Sequence, residues 1–307
     1  MHQGALILGY HRVADVPRDP FSMCVAPAHF DEQLDVLRRY TTPVSLQDLI
    51  RHLEEGSLPP RTVALTFDDG YVDNLYQAKP ILARYDMPAT VFVTTGYVDR
   101  TFWWDELQGL LSSPERLPGR LSLPLGGRVF EWAIDDTQAS RREGQEQLLW
   151  LLYEQLLHVT PEERRRAMDA LNDWAGAGGE ALAQGRALSN DEIIALASDG
   201  MVEIGSHSVS HPMLAALSPD EQASEIQQSR HHLATLTGRP ITSFSYPNGS
   251  LTVETKRILN RSGYTCACAS YNDVVWSKSD RLHLPRFWIP DWGRERFARW
   301  LARWVRG

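Results

Sequence analysis

The sequence predicts an α/β fold built on a parallel β-sheet with helices packed outside it. Short apolar, β-branched segments alternate with segments of helical period through residues 5–94, and the alternation resumes at Ser189. Strands that alternate with helices in this way form parallel sheets, because each helix carries the chain back to the starting end of the sheet. Residues 101–188 lack this rhythm and predict a mostly helical insertion.

The elements before the insertion follow one another as strand, helix, strand. Apolar residues 5–10 predict the first strand, and the spacing of Phe30, Leu34 and Leu37 predicts a helix near residues 28–39. The next predicted elements are a short helix at 45–53, a strand at 63–67, a helix at 73–85 that Pro80 kinks or breaks, and a strand at 89–94.

The sequence of the insertion predicts one β-hairpin and several helices. Glycines 126 and 127 lie inside residues 121–132 and indicate the hairpin turn, and leucines at helical spacing indicate a helix over 148–156. Thr160 then begins a second helix with a capping pattern. The insertion is long enough to cover the mouth of a site, and a distal pack of helices is the alternative.

The elements after the insertion restore the alternation of helix and strand. Ser189 and Glu192 form the pattern of a capping box at the start of the first helix. The predicted elements are helix 190–199, strand 202–206, helix 219–236, strand 243–246, helix 252–262, and strands 264–269 and 282–287.

Composition limits the class of protein. A chain of 307 residues suits one large α/β barrel or two modest domains, and a net charge of −8 gives no support for nucleic-acid binding. The three cysteines form no evident disulfide framework and predict reduced thiols. With no recognisable signal peptide and no apolar run of roughly 20 residues, the sequence predicts a cytoplasmic protein.

Two adjacent carboxylates end the second long strand. Asp68 and Asp69 follow strand 63–67, and Gly70 permits a turn directly after them. Successive side chains of a strand point to opposite faces, so both acids can serve one site only where the backbone turns. Adjacent carboxylates repel, and a metal ion is a common remedy. Taken alone, this stretch also fits an ordinary Asp-Gly turn with solvated acids.

A histidine pair ends a later strand. His207 and His211 follow strand 202–206, and a helical turn would place imidazoles four residues apart on one face. Two imidazoles and one carboxylate are a common ligand set for a catalytic zinc ion. Because α/β folds place their sites at strand ends, the two stretches together predict a metal centre.

Three motifs carry a resemblance to a known family. Residues 66–70 (Thr-Phe-Asp-Asp-Gly), 207–212 (His-Ser-Val-Ser-His-Pro) and 244–249 (Phe-Ser-Tyr-Pro-Asn-Gly) resemble motifs of the polysaccharide deacetylases, the NodB-homology carbohydrate esterases. The resemblance covers roughly residues 1–100 and 189–290. It implies a distorted (β/α)7 barrel over residues 1–307, with the insertion at 101–188.

The resemblance also implies a reaction, the metal-dependent removal of an N-acyl group, usually N-acetyl, from an amino sugar. Asp68 then corresponds to the catalytic base, and Asp69, His207 and His211 to the ligands of one divalent ion, with zinc expected. The backbone N–H after the motif proline, that of Asn248, corresponds to a donor to the developing oxyanion.

Two positions depart from the family pattern. Ser245 stands where the family often has an arginine that holds the catalytic aspartate, and Arg286 is a candidate substitute, with a surface arginine as the alternative. No clear late motif supplies the general acid. His11, in an early Tyr-His pair typical of permuted members, is the favoured acid, and His283 is the alternative.

Several side chains are candidate substrate contacts. Aromatic rings suit sugar stacking, although each is equally consistent with a core position. The candidates are Trp103, Trp104, Tyr271 and Trp276, together with Tyr246 and Pro247 of the third motif.

The predicted function is deacetylation of an amino sugar in a glycan, a glycolipid or a sugar-nucleotide precursor. The alternatives are an amidohydrolase or deformylase acting on a small amide, and a non-catalytic carbohydrate-binding barrel. The intact acid and histidine motifs argue against the last.

The C-terminal residues 293–307 predict a basic amphipathic helix. Phe297, Trp300, Leu301 and Trp304 share one helical face, and five arginines accompany one glutamate. The favoured interpretation is a last helix packed on the barrel. The alternative is an interfacial helix that docks the protein on the inner membrane face, near a lipid-linked sugar.

Overall fold

The computed structural model describes residues 4–112, 117–133, 138–176 and 185–305. The chain divides into two compact units, Met1–Asp99 with Ala187–Gly307, and Arg100–Arg186. The second unit contains all but the last two residues of the predicted insertion. Within the described residues, no helix is long and apolar enough to span a bilayer.

The strands of the described residues are short, and most lie where the sequence predicts them. In chain order they are β1 Leu6–Tyr10, β2 Arg12–Val13, β3 Cys24–Val25, β4 Thr42–Pro43, β5 Thr62–Phe67, β6 Ala89–Val93, β7 Arg120–Leu125, β8 Arg128–Ala133, β9 Val202–Ser206, β10 Ser243–Ser245, β11 Cys266–Cys268 and β12 Phe287–Trp288. The two-residue strands β2, β3 and β4 were not predicted, because two residues show no periodicity.

The helices begin at capping residues in several cases. Side chains of Ser45, Thr160, Ser189, Ser218 and Thr252 accept the N-terminal N–H groups of their helices. In chain order the helices are α1 Pro27–Tyr40, α2 Leu46–Glu55, α3 Lys79–Arg84, α4 Trp103–Leu110, α5 Gln138–Leu157, α6 Pro161–Ala175, α7 Asn190–Ala197, α8 Pro219–Thr237, α9 Val253–Arg261 and α10 Arg294–Val305.

The predicted break at Pro80 takes a specific form. A π-helical turn, Asn74–Ala78, precedes α3, and Pro80 lies in the first turn of α3. The helix α3 continues directly from this turn, in which the Lys79 N–H donates to the Asn74 carbonyl. The missing N–H of Pro80 therefore falls where the hydrogen bonding changes from the π-helical to the α-helical pattern.

Eight strands of the described residues, all paired in parallel, form the sheet of the first unit. Seven of them follow the order β11-β10-β9-β6-β5-β1-β12, and β4 pairs with β5 beside this path. Residues 281–289 join the two edges: backbone hydrogen bonds connect Leu284 to β11, and β12 pairs with β1. The sheet therefore closes into a ring whose last strand is irregular. This is the distorted (β/α)7 barrel that the resemblance implies.

The side chains of the strands alternate between two apolar clusters. On β1, Leu6 and Leu8 belong to the cluster that includes Phe30 of α1, whereas Ile7 belongs to the cluster that includes Leu49 of α2. The same alternation along β5 puts residues 64, 66 and 68 on the side of Ile7. The first carboxylate of the Asp-Asp pair therefore continues the inner face of the strand.

The C-terminal helix packs on the barrel. Phe297 and Leu301 of α10 are buried in the outer cluster, and the rings of Trp300 and Trp304 contact Phe287. The apolar face that an interfacial helix would present to lipid is thus largely occupied by the protein itself. This packing agrees with the favoured packed-helix interpretation, and docking on a membrane stays an untested prediction.

The second unit contains the hairpin at its predicted position. Strands β7 and β8 pair antiparallel around Gly126 and Gly127, both at positive φ. The buried Arg164 guanidinium on α6 donates to the Leu156 carbonyl at the end of α5 and lies over the Trp103 ring. These contacts hold α4, α5 and α6 together.

Candidate metal centre and acid–base groups

The backbone turns sharply at the end of β5. The Asp68 N–H still donates to the Tyr10 carbonyl as part of the sheet, but Asp69 has φ 72° and Gly70 has φ 82°. This left-handed turn brings both carboxylates to one histidine: His207 Nε2 lies 3.5 Å from Asp69 Oδ1 and 3.7 Å from Asp68 Oδ2. The two adjacent acids therefore serve one site.

The two histidines lie on an irregular loop after β9. Ser208 and His211 have φ of 65° and 56°, so the expected helical turn is wrong. The His211 N–H donates to Ser208 Oγ, and the rings of His207 and His211 still lie side by side, 4.9 Å between centroids. A tight non-helical turn achieves the juxtaposition that the spacing predicted.

Glu225 of α8 anchors this loop, although no pattern in the sequence indicates it. Its Oε2 accepts the backbone N–H groups of Val209 and Ser210, and its Oε1 accepts the Ser210 hydroxyl. Three hydrogen bonds to one carboxylate fix the segment between the two histidines. Glu225 lies more than a dozen residues further along the chain, on a helix face, where an acidic residue is unremarkable in sequence.

The geometry of Asp69, His207 and His211 fits a zinc ion. His207 Nε2 and His211 Nε2 each lie 3.5 Å from Asp69 Oδ1, and all three residues are buried. Ligands about 2.1 Å from a tetrahedral zinc ion are about 3.4 Å apart. His207 Nδ1 lies 2.8 Å from the Ser245 carbonyl, which requires the proton on Nδ1 and leaves Nε2 as a ligand atom.

Asp68 is held by a buried arginine. Arg286 Nη1 and Nη2 donate to Asp68 Oδ1 and Oδ2 at 2.7 and 2.8 Å, and the arginine is fully buried. Ser245 Oγ donates to Asp68 Oδ2 and accepts from Arg286 Nη2, both at 2.9 Å. The structure thus brings Arg286 and Ser245 together on the carboxylate where the family often has one arginine.

These contacts determine the protonation of Asp68. Burial alone would raise its pKa, but the positive charge of Arg286, followed by His207, outweighs burial and holds the pKa well below its usual value. Asp68 therefore stays ionised at neutral pH, in the form that accepts a proton.

His11 directly follows β1 and lies close enough to Asp68 and Arg286 for their charges to act on its imidazole. Its imidazole stacks on Trp288, with centroids 4.5 Å apart and planes 12° from parallel, and its carbonyl accepts the Asn74 side-chain amide. Burial lowers the pKa of His11 to about 4, opposed by the charge of Asp68. The alternative acid, His283, has its described contacts with Asp280 and Tyr271.

The predicted substrate contacts fall into different environments. Tyr246 is fully buried and its hydroxyl donates to the Leu282 carbonyl, so a direct contact of its ring with substrate does not fit, and Pro247 is buried too. Trp104 is buried in the second unit against Phe102. Tyr271 is 41% exposed.

The third motif ends in a tight turn. Pro247–Gly249 forms a single 3₁₀ turn in which Asn248 is exposed and has φ 53°. The Gly249 and Ser250 N–H groups donate to carbonyls within this turn. Donation of the Asn248 N–H to an oxyanion stays a prediction.

The choice of general acid is open to a direct test. We expect His11→Ala to retain metal and to lose about 10²–10⁴-fold in turnover, because the leaving amine lacks a proton donor. His283→Ala should stay close to wild type. Steady-state acetate release and metal content of both variants check this. Full activity of the first with loss in the second would reverse the assignment.

A family comparison agrees with the motifs. Residues 55–117 and 154–267, more than half of the chain, match the family model described as polysaccharide deacetylase. The chain therefore belongs to the polysaccharide deacetylase family. The matched segments include parts of residues 101–188, which the motif resemblance had left outside.

Named relatives match part of the chain, and solved structures share its fold. A poly-β-1,6-N-acetyl-D-glucosamine N-deacetylase of Staphylococcus aureus is 30% identical over 108 residues, which span 31% of this chain and 37% of that protein. The match thus covers well under half of the relative's length. IcaB from Ammonifex degensii (TM-score 0.64, 19% identity, 99% and 98% coverage) and the Streptococcus pyogenes deacetylase PplD in complex with acetate (0.62, 20%, 95% and 94%) share the fold.

Proposed function

We propose that this protein is a metal-dependent hydrolase that removes N-acetyl groups from glucosamine units of a polysaccharide. The observation that carries the proposal is the position of Asp68. Its carboxylate lies 3.7 Å from the ligand nitrogen of His207, yet both oxygens are held by Arg286 rather than by the ligand set. A base beside a metal centre, but not part of it, is what amide hydrolysis requires.

The named relatives support the choice of polymer. They are deacetylases of poly-β-1,6-N-acetyl-D-glucosamine, so a β-1,6-linked chain of N-acetylglucosamine is the proposed substrate. A lipid-linked or nucleotide-linked precursor is the alternative carrier, and a cytoplasmic location accompanies that alternative. The proposal of a cytoplasmic location rests on the three cysteines, which are all free thiols in the structure.

Different residues of the chain are proposed to hold the metal, to act as the base and to stabilise the oxyanion. A zinc ion held by Asp69, His207 and His211 would acidify a bound water and polarise the amide carbonyl. Asp68, kept ionised by Arg286, accepts the proton of the attacking water. The Asn248 N–H is the proposed second donor to the oxyanion.

His11 is the proposed donor to the leaving amine. Burial keeps it neutral at pH 7 in the absence of substrate, so it must gain its proton during turnover. The Asp68 carboxylate is the group whose charge favours the protonated imidazole.

A substrate panel tests the proposal. We expect acetate release from β-1,6-linked N-acetylglucosamine oligomers, loss of activity with a chelator, and recovery on addition of zinc. Nucleotide-linked and lipid-linked N-acetyl sugars and simple formamides complete the panel. Formate release from a small amide, with no acetate from any sugar, would contradict the proposal in favour of a deformylase.

A further inference from the structure

Trp288 contacts both halves of the acid–base apparatus. Its indole stacks on His11 at 4.5 Å between centroids, and the Arg286 guanidinium carbon lies over the indole at 4.6 Å from the ring centroid. Arg286 is the residue that holds Asp68. One partly buried indole therefore touches the proposed acid and the partner of the proposed base.

The imidazole of His11 has few other constraints. Among the described residues, its backbone is held by Asn74, and no side chain hydrogen-bonds either of its ring nitrogens. Catalytic histidines are commonly oriented by such a hydrogen bond. Here a parallel stack on Trp288 takes that place, and it leaves both ring nitrogens available.

The indole position depends on the neighbouring strand. Gly9 of β1 pairs with Trp288 of β12, and a Cβ atom on Gly9 would lie 2.8 Å from the indole Cε3. Gly9 has no positive φ, so its backbone would accept alanine. The absence of a side chain at Gly9 thus allows the indole to lie flat where it meets His11.

We propose that Trp288 is a positioning residue that orients the His11 imidazole towards the leaving amine, rather than a residue that binds the sugar. This inference rests on the proposed deacetylase function. It implies that Trp288 acts through His11. A substitution of Trp288 should therefore lower kcat rather than raise KM, and it should have no further effect when His11 is absent.

Kinetics of a double-mutant cycle test the inference. We expect Trp288→Leu to lower kcat by about 10-fold to 10²-fold, part of what a general acid contributes, with KM within about twofold of wild type. Trp288→Phe, which keeps a flat ring, should recover most of kcat. In the His11→Ala background, Trp288→Leu should cost less than about twofold more, because coupled residues are not additive.

Two further variants serve as a probe and a control. Gly9→Ala should lower kcat in the same way as Trp288→Leu, since it displaces the indole without removing it. Trp304→Leu removes a tryptophan that also contacts the last strand, through Phe287, and it should leave kcat and KM unchanged. Melting temperature and metal content of each variant show that it is folded.

A spectroscopic measurement separates this inference from the proposed function. The ring current of Trp288 should shift the His11 imidazole protons upfield in NMR spectra, and Trp288→Leu should remove the shift. If wild type releases no acetate but the shift is present, the proposed function fails while the stacking holds. A raised KM with unchanged kcat, or an equal loss in the His11→Ala background, would overturn the positioning role.

Discussion

Replacing both His207 and His211 with alanine is expected to abolish metal binding and hydrolysis together. The two imidazoles supply two of the three proposed ligand atoms, each 3.5 Å from Asp69 Oδ1. A single carboxylate in a buried site holds a divalent ion poorly, because softer imidazole nitrogens contribute much of the affinity for zinc. Metal content by elemental analysis and acetate release should both fall below detection.

An exposed histidine provides the matched control. His231 lies on the outer surface of α8, and His231→Ala should keep full metal content and activity. Stoichiometric metal in the His207→Ala/His211→Ala variant would contradict the proposed ligand set. Retained acetate release without metal would instead contradict the proposed chemistry.

Motifs at strand ends were predictable because local sequence determines them. A buried strand followed by Asp-Asp-Gly requires a turn, and the structure supplies it with positive φ at Asp69 and Gly70. Arg286 could be predicted only as one of two alternatives. Its place beside Asp68 depends on the closure of the barrel, which brings residues more than two hundred positions apart into contact.

Other features depend on contacts that the local sequence does not show. The sequence predicts a strand at 282–287, but the structure has only the two-residue strand Phe287–Trp288 and isolated backbone contacts at Leu284, so the way in which residues 281–289 close the sheet was not predicted. The hydroxyl of Tyr246 donates to the Leu282 carbonyl because that irregular segment passes behind it, which makes a motif tyrosine part of the core. The stack of His11 on Trp288 likewise depends on pairing between β1 and β12.

Asp68→Asn is expected to retain metal but to lose about 10²–10⁴-fold in turnover, because an amide cannot take the proton of the attacking water. The same change leaves the buried Arg286 without its counter-charge, at a cost of about 3–5 kcal/mol in the free energy of unfolding. Metal content, acetate release and chemical denaturation of the variant measure these effects separately.

The ion pair also predicts how stability depends on pH. Arg286 holds the folded-state pKa of Asp68 below its usual value, so the stabilisation is present above the unfolded-state pKa of about 3.9 and is lost as pH falls through the folded-state pKa. The difference in unfolding free energy between wild type and Asp68→Asn should therefore be constant near neutral pH and shrink in acid.

Ser245→Ala is the control that separates charge from geometry. It removes one hydrogen bond to Asp68 and one from Arg286 but keeps both charges, so we expect metal binding unchanged and turnover lowered far less than in Asp68→Asn. Its unfolding free energy should fall by about 1–3 kcal/mol, the cost of unsatisfied buried hydrogen-bonding groups. Near-wild-type turnover in Asp68→Asn, with metal bound, would exclude Asp68 as the base and leave proton transfer to another group at the centre.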